Sequence, residues 1–81
     1  MLQTYEEYFE SLERRKTELH NLCVIVCDKH NANTIYRILL RNGISSVDEF
    51  RQTDLNMLRR ARNVGEMRMA FIEEMRKVID T

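Results

Sequence analysis

Apolar residues recur every seven positions along the first third of the chain. The repeat falls on Tyr5, Leu12, Leu19 and Val26, and no glycine or proline interrupts it. Other apolar residues widen the same stripe at Tyr8, Phe9, Leu22 and Cys23. A stripe of this kind is typical of one face of an amphipathic α-helix. The pattern therefore predicts a single long helix over residues 2–29.

The seven-residue repeat has two interpretations. It is typical of a coiled coil, in which Tyr5, Leu12, Leu19 and Val26 would form the seam of a homodimer. Alternatively, the helix lies across its own domain and buries the stripe there. Arg15 interrupts the seam, so both interpretations stay open at this point.

Turn-forming residues end this pattern and introduce a second helix. Asn31 and Asn33 are typical of turns and helix caps, and Asn33 is expected to cap a helix that begins at Thr34. That helix is predicted to end at Gly43, with the basic residue Arg41 in its last turn.

Capping signals predict three further helices. Ser46 and Glu49 have the spacing of a capping box, which indicates a short helix over about residues 47–52. Thr53 is the expected cap of the next helix, in the sequence DLNMLRRA. The sequence RNVG, residues 62–65, is predicted to form a tight turn. The broad apolar face of EMRMAFIEEMRKVID, residues 66–80, predicts the final helix.

These elements predict an all-α protein. Residues 1–30 would form an N-terminal amphipathic helix, for packing or dimerisation, and residues 31–81 a compact four-helix domain. No strand-like alternation is visible. The expected core comprises Ile35, Ile38, Leu39, Ile44, Val47, Phe50, Leu55, Leu58, Val64, Met69, Ile72 and Met75.

Charge is balanced overall but concentrated near the predicted turn. The 81 residues hold 13 basic and 13 acidic side chains, so no net field attracts nucleic acid to the whole molecule. Residues 57–68 nevertheless carry four arginines against one glutamate. The N-terminus lacks a signal-peptide pattern, and the longest apolar run is too short to span a bilayer. We therefore expect a cytoplasmic protein.

Two cysteines and two histidines have a spacing that resembles a metal site. His20, Cys23, Cys27 and His30 follow the pattern H-x2-C-x3-C-x2-H. On one helix, however, His30 would lie about 15 Å from His20, too far for a tetrahedral zinc site. Both cysteines lie within an apolar run, where cysteine behaves as a small buried residue. We expect no metal, no cofactor and, since no catalytic set emerges, no enzymatic activity.

The predicted turn before the last helix has the chemistry of a phosphate contact. Backbone amides at Gly65 and at the start of the last helix would point outward toward a phosphate oxygen. The absence of a side chain at Gly65 would allow close approach. Arg60, Arg62 and Arg68 would add positive charge.

The region over about residues 33–78 resembles the C-terminal domain of the bacterial RNA polymerase alpha subunit. The resemblance rests on ordered features, which are here Gly43-Ile44, Val47 to Phe50, Leu58-Arg59-Arg60 and Asn63-Val64-Gly65. It implies a compact helical domain with a helix-hairpin-helix element. It also implies contact with DNA across the minor groove, mainly at A/T-rich sequence, and contact with transcription activators.

The resemblance assigns functional positions one at a time. Thr34 stands where the family has its principal DNA-reading arginine, and Arg37 stands where it has an asparagine. Arg60, Asn63 and Gly65 keep the family residues before and within the turn. Met67-Arg68 replaces a lysine-serine pair. The predicted nucleic-acid contacts are Arg37, Arg60, Arg62, Asn63, Gly65 and Arg68.

Two functions are consistent with these observations. The first is a transcription-related module that binds the DNA backbone through the helix-hairpin-helix turn. The second is a protein-interaction or regulatory module that keeps the fold without binding DNA. Its partner would be a transcription protein or a second copy of the chain, and the neutral total charge and Thr34 favour it.

Overall fold

The computed structural model describes residues 4–80, and every regular element among them is a helix. There are five, in chain order: α1 (Tyr5–Val26), α2 (Lys29–Arg41), α3 (Val47–Gln52), α4 (Leu55–Arg59) and α5 (Glu66–Asp80). The all-α prediction is confirmed. Residues 1–3 and 81, at the ends of the two predicted segments, lie outside the described residues.

Helix α1 is shorter than predicted because a strong cap starts the next helix sooner. It begins after Thr4, whose side chain forms a capping box with Glu7, and it ends at Val26. Cys27 and Asp28 have extended backbone conformations, so residues 2–29 do not form one continuous helix.

Helix α2 begins at Lys29, which corrects the predicted start at Thr34. The carboxylate of Asp28 accepts a hydrogen bond from the Asn31 amide and is the N-cap. An aspartate caps as well as an asparagine. Asn31 and Asn33 therefore lie within the helix, and Asn33 contacts the His20 imidazole of α1 at 3.1 Å.

Gly43 ends α2 as predicted, in a Schellman motif. It has a left-handed backbone with φ +80°, which glycine adopts without strain. The Gly43 amide donates to the Leu40 carbonyl, and the Ile44 amide donates to the Leu39 carbonyl at 2.9 Å. Ile44 then buries its side chain in the core.

The next two helices also depend on local caps. Ser46 caps α3 as predicted, since its hydroxyl accepts from the Glu49 amide at 3.1 Å. The cap of α4 is Asp54 rather than Thr53. Thr53 instead ends α3, where its hydroxyl donates to the Glu49 carbonyl at 2.7 Å.

The core joins the second half of α1 to the four later helices. Ten of the twelve predicted core residues are buried, while Val47 and Leu55 pack against the core partly exposed. The core also includes Cys23 and Cys27, which the sequence analysis expected to be buried, and three residues absent from the expected core: Leu19, Leu22 and Ala32. Residues on both sides of the predicted boundary after residue 30 therefore contribute to one hydrophobic core.

Candidate nucleic-acid interface

The chain reverses direction between α4 and α5, as the hairpin prediction requires. Arg59 at the end of α4 forms an ion pair with Glu73 of α5, at 2.8 Å. Leu55, at the start of α4, lines a groove with Lys77 and Asp80, near the end of α5. Positions earlier in α4 thus lie beside positions later in α5, which is the arrangement of two antiparallel helices.

The hairpin turn is anchored by one apolar side chain. Val64 is buried, whereas Arg62, Asn63 and Gly65 on either side of it are exposed. The left-handed residue is Asn63, with φ +68°, and Gly65 does not have a positive φ. Asparagine tolerates this conformation better than most residues. The turn therefore depends on Asn63 for its backbone geometry.

The start of α5 lies at the protein surface. The Gly65 carbonyl accepts the Met69 amide at 2.9 Å, which closes the first turn of the helix. The amides that precede Met69 have no carbonyl one turn earlier to bind. Gly65 and Glu66 are both exposed. This end of α5 therefore offers hydrogen-bond donors at the surface.

Gly65 leaves space that the fold does not use. A Cβ added there would meet no heavy atom within 4 Å. Neither backbone strain nor crowding requires glycine at this position. The effect of the missing side chain is that the outer surface of the turn is more open.

Arg68 is held by the protein itself. Its Nη1 atom donates to the Asn63 carbonyl at 2.7 Å, and its Nε atom donates to the Asn31 side-chain oxygen at 3.1 Å. Arg68 thus ties the left-handed residue of the turn to the first turn of α2. Its charge is directed inward, unlike that of the other predicted arginines.

Asn31 connects this contact to the N-cap of α2. Its side chain is buried, and its Nδ2 atom donates to both carboxylate oxygens of Asp28, each at 3.0 Å. Hydrogen bonds from the Asn31 backbone and side chain lower the pKa of Asp28. Asp28, Asn31, Arg68 and Asn63 form a continuous polar network, which we call the α2–α5 link. It holds the starts of α2 and α5 side by side.

Arg60 and Arg62 are exposed and unpartnered. Among residues 4–80, neither side chain forms a hydrogen bond or an ion pair. Arg60 is the C-cap of α4, and Arg62 lies in the turn two residues before Val64. These two arginines, the hairpin arginines, are therefore free to meet an external anion.

Arg37 lies on the exposed side of α2, in a row of residues that the sequence analysis did not place on one face. With α2 beginning at Lys29, His30, Thr34, Arg37 and Arg41 follow one another at spacings of four, three and four residues. Such spacing places them on one helix face. The signal was present in the sequence, but the predicted start at Thr34 hid the first member. The Arg37 side chain has no ion pair within the described residues.

Thr34, which replaces the family arginine, is turned toward its own helix. Its hydroxyl donates to the His30 carbonyl at 3.3 Å. A threonine held in this way has neither the length nor the charge of an arginine. Arg37, one turn later, is the nearest cation along this face.

The cysteines at metal-like spacing are buried, and His20 contacts other side chains. The His20 ring packs edge-on against Tyr36, with ring centroids 4.8 Å apart. Burial, with a smaller contribution from neighbouring negative charge, raises the pKa of Cys23 to about 12 and that of Cys27 to about 11. Both thiols are therefore protonated at neutral pH. No group of three metal-ligating side chains is assembled among residues 4–80.

Comparisons with known proteins add no relative to this picture. No family model, characterised protein or solved structure matches the chain. Within the part of the chain that the structure describes, no helix has the length and apolar character needed to cross a membrane.

Proposed function

We propose that this protein is a non-enzymatic nucleic-acid-binding module that contacts the DNA backbone through the α4–α5 turn. The observation that carries the proposal is the combination at this turn of two unpartnered arginines with Gly65, whose missing side chain the fold does not require. Each feature alone is common on protein surfaces. Together they form an open, positively charged surface with exposed amide donors.

The chemistry of the contact follows from these parts. Phosphate oxygens would accept hydrogen bonds from the amides at Gly65 and Glu66, at the positive end of α5. The Glu66 carboxylate at the helix start would repel an anion. Positive charge from Arg60 and Arg62 would offset this repulsion. Arg37 would add a contact from α2. Arg68 would act indirectly, by holding the turn through the α2–α5 link.

A transcription-related role rests on the resemblance to the RNA polymerase alpha C-terminal domain. The five-helix architecture and the hairpin are compatible with that resemblance. In such a role, the turn would lie across the minor groove of A/T-rich DNA in a bacterial cell. A narrow minor groove attracts arginine side chains, and Arg60 and Arg62 have the required freedom.

Salt-dependent DNA binding tests the proposal. We expect the chain to bind an A/T-rich duplex, with an affinity that falls as salt rises because bound counterions are released. The double variant Arg60→Ala, Arg62→Ala should bind more weakly. The dependence of log affinity on log salt should also become less steep, by about one unit of slope per arginine.

A matched control removes two arginines elsewhere. Arg14 and Arg15 on α1 are also exposed and unpartnered among the described residues, so Arg14→Ala, Arg15→Ala causes the same change in net charge. It should leave the DNA affinity close to that of the unmodified protein. Equal losses of affinity in the two double variants would show that binding depends on net charge and not on the turn. Unchanged affinity in both would show that the arginines of the turn do not contact DNA.

A protein-interaction module is the second candidate, and one observation favours it specifically. The first half of α1 exposes the aromatic residues Tyr5, Tyr8 and Phe9, which lie far along the chain from the hairpin arginines. Exposed aromatic side chains of this kind are enriched at protein interfaces. If DNA binding is absent at low salt, this surface becomes the basis of the function.

A further inference from the structure

The first half of α1 carries an apolar face that the rest of the chain does not cover. Tyr5, Tyr8 and Phe9 are 80%, 56% and 49% exposed, and Leu12 is partly exposed. The rings of Tyr5 and Phe9 stack on each other with centroids 6.3 Å apart. We call these four residues the α1 tip.

The α1 tip belongs to the same helix face that enters the core further along. A helix turns by about 100° per residue, so Tyr5, Leu12 and Leu19 stay within about 40° of one another. Leu19 is fully buried in the core, whereas Tyr5 is largely exposed. The later helices thus cover this face from Leu19 onward and leave it open over the first two to three turns.

The predicted dimer seam is therefore divided. Leu19 packs inside its own chain, and Val26 packs partly buried against the same core. Tyr5 and Leu12 are the two seam residues that do not pack against the core. Tyr8 and Phe9 complete the accessible face.

Charge around the α1 tip changes sign along the helix. Residues 4–13 contain four glutamates and no basic residue, while Arg14, Arg15 and Lys16 follow directly. A parallel pair of these helices would place the acidic segments together. An antiparallel pair that crosses near Glu10 would place the start of each acidic segment, which contains Glu6, level with the basic residues of the other copy.

The positions of individual charges on the helix agree with the antiparallel arrangement. When a two-fold axis relates two antiparallel helices, residues on one side of the apolar face of one helix meet residues on the same side of the other helix's apolar face. Glu6 and Lys16 lie on the same side of the apolar face, about 80° apart around the helix, with Lys16 nearer its middle. Glu6 of one copy can therefore approach Lys16 of the other.

We propose that the α1 tip binds a second copy of this chain, with the two α1 helices antiparallel and crossing near Glu10. In this register, Tyr8 of one copy faces Leu12 of the other, and the two Phe9 side chains meet near the axis. Lys16 of each copy approaches Glu6 of the other. The α1 helix of each copy then buries the part of the other copy's apolar face that its own core leaves exposed.

A matched pair of double variants tests whether the α1 tip is the interface. Sedimentation equilibrium of the full chain should show a monomer–dimer equilibrium, weak because the apolar contact is small. Tyr8→Ala, Phe9→Ala should raise the dimer Kd at least about tenfold, since aromatic anchors dominate small interfaces. The control Val24→Ala, Ile25→Ala also removes exposed apolar groups from α1 and should leave Kd unchanged. The proposal would be overturned if the chain stays monomeric, or if the two double variants change the dimer Kd equally.

Charge reversal tests the orientation. Glu6→Lys and Lys16→Glu should each weaken the dimer several-fold, whereas the two substitutions in one chain should restore it because attraction returns with the signs exchanged. In a parallel dimer neither single reversal should weaken association, because each would place a charge of opposite sign within a like-charged segment of the partner. Added salt should weaken an antiparallel dimer and strengthen a parallel one. Insensitivity of the dimer to both reversals would contradict the antiparallel arrangement. DNA binding enters none of these measurements.

Discussion

Two pairs of arginines in the second half of the chain have opposite surroundings. Arg68 and Arg76, both on α5, donate to backbone carbonyls of other segments, Arg68 to Asn63 and Arg76 to Phe50 and Thr53. Arg60 and Arg62 donate to no residue between positions 4 and 80. Arginine thus forms hydrogen bonds within the protein in the first pair and stays available to a ligand in the second.

The comparison shows which positive charges contribute to the fold. Arg76 binds two carbonyls at the end of α3, at 2.9 Å to the cap residue Thr53 and at 3.3 Å to Phe50, whose carbonyl also accepts the Thr53 amide. Arg51 at the end of α3 reaches the Ile79 carbonyl of α5 at 3.4 Å. The two helices therefore satisfy each other's ends. The hairpin arginines have no such role.

Arg68→Ala should cause the largest loss of stability among the arginine substitutions. It removes two charge-assisted hydrogen bonds and leaves the buried Asn31 oxygen without a donor. We expect the free energy of unfolding to fall by about 1–3 kcal/mol, measured by chemical denaturation. Exchange of the amides around Asn63 should also accelerate. Arg62→Ala is the control, and an equal effect of both would erase the distinction between the two pairs.

Arg76→Ala should have a somewhat smaller effect. The substitution removes two hydrogen bonds at the end of α3, but the Phe50 carbonyl keeps the Thr53 amide as a donor. We expect a loss of about 1–2 kcal/mol in the free energy of unfolding. Arg60→Ala should stay within about 0.5 kcal/mol of the unmodified protein, as surface substitutions usually do. Similar unfolding midpoints for the two variants would contradict this account.

Asp28→Asn should change how stability depends on pH. Hydrogen bonds from Asn31 lower the pKa of Asp28 in the folded protein, so the folded state binds its proton less readily than the unfolded chain. The resulting stabilisation is present above the usual aspartate pKa of about 3.9 and is lost as pH falls through the lower folded pKa. Asparagine is also a good N-cap, so the variant removes the charge while keeping the cap.

Denaturant titrations between neutral pH and pH 2 measure this difference. The variant should lose less stability than the unmodified protein over the acidic part of the range. Parallel curves for the two proteins would show that the Asp28 carboxylate does not contribute to the pH dependence.

Gly65→Ala should have the smallest effect on folding and a clear effect on binding. A methyl group there meets no neighbour, and alanine reduces the freedom of the unfolded chain. We expect the free energy of unfolding to stay the same or to rise by up to about 1 kcal/mol. DNA affinity should fall, because the methyl group would occupy the surface that a phosphate approaches. Unchanged DNA affinity would leave Gly65 as a residue of the turn with no part in the contact.

The elements that could be predicted from the sequence are those with local causes. The final helix spans residues 66–80 as predicted, because its apolar repeat and the preceding turn lie within a few residues of each other. Gly43 and Ser46 act as predicted because their hydrogen bonds reach no further than four residues. The choice of Asp28 over Asn33 as a cap was missed, since both are good caps and Asn33 is used instead by His20, thirteen residues away.

The sequence by itself determined an all-helical chain, the ends of several helices, most of the core and the presence of a basic turn. Only the tertiary structure decided which arginine holds the turn and which remain exposed, because the Arg68 contact with Asn31 joins positions 37 residues apart. It also decided that Leu19 is buried while Tyr5 is exposed, although both follow the same seven-residue repeat. Periodicity places side chains on one face of a helix, but the folded chain determines how far along that face its own core extends.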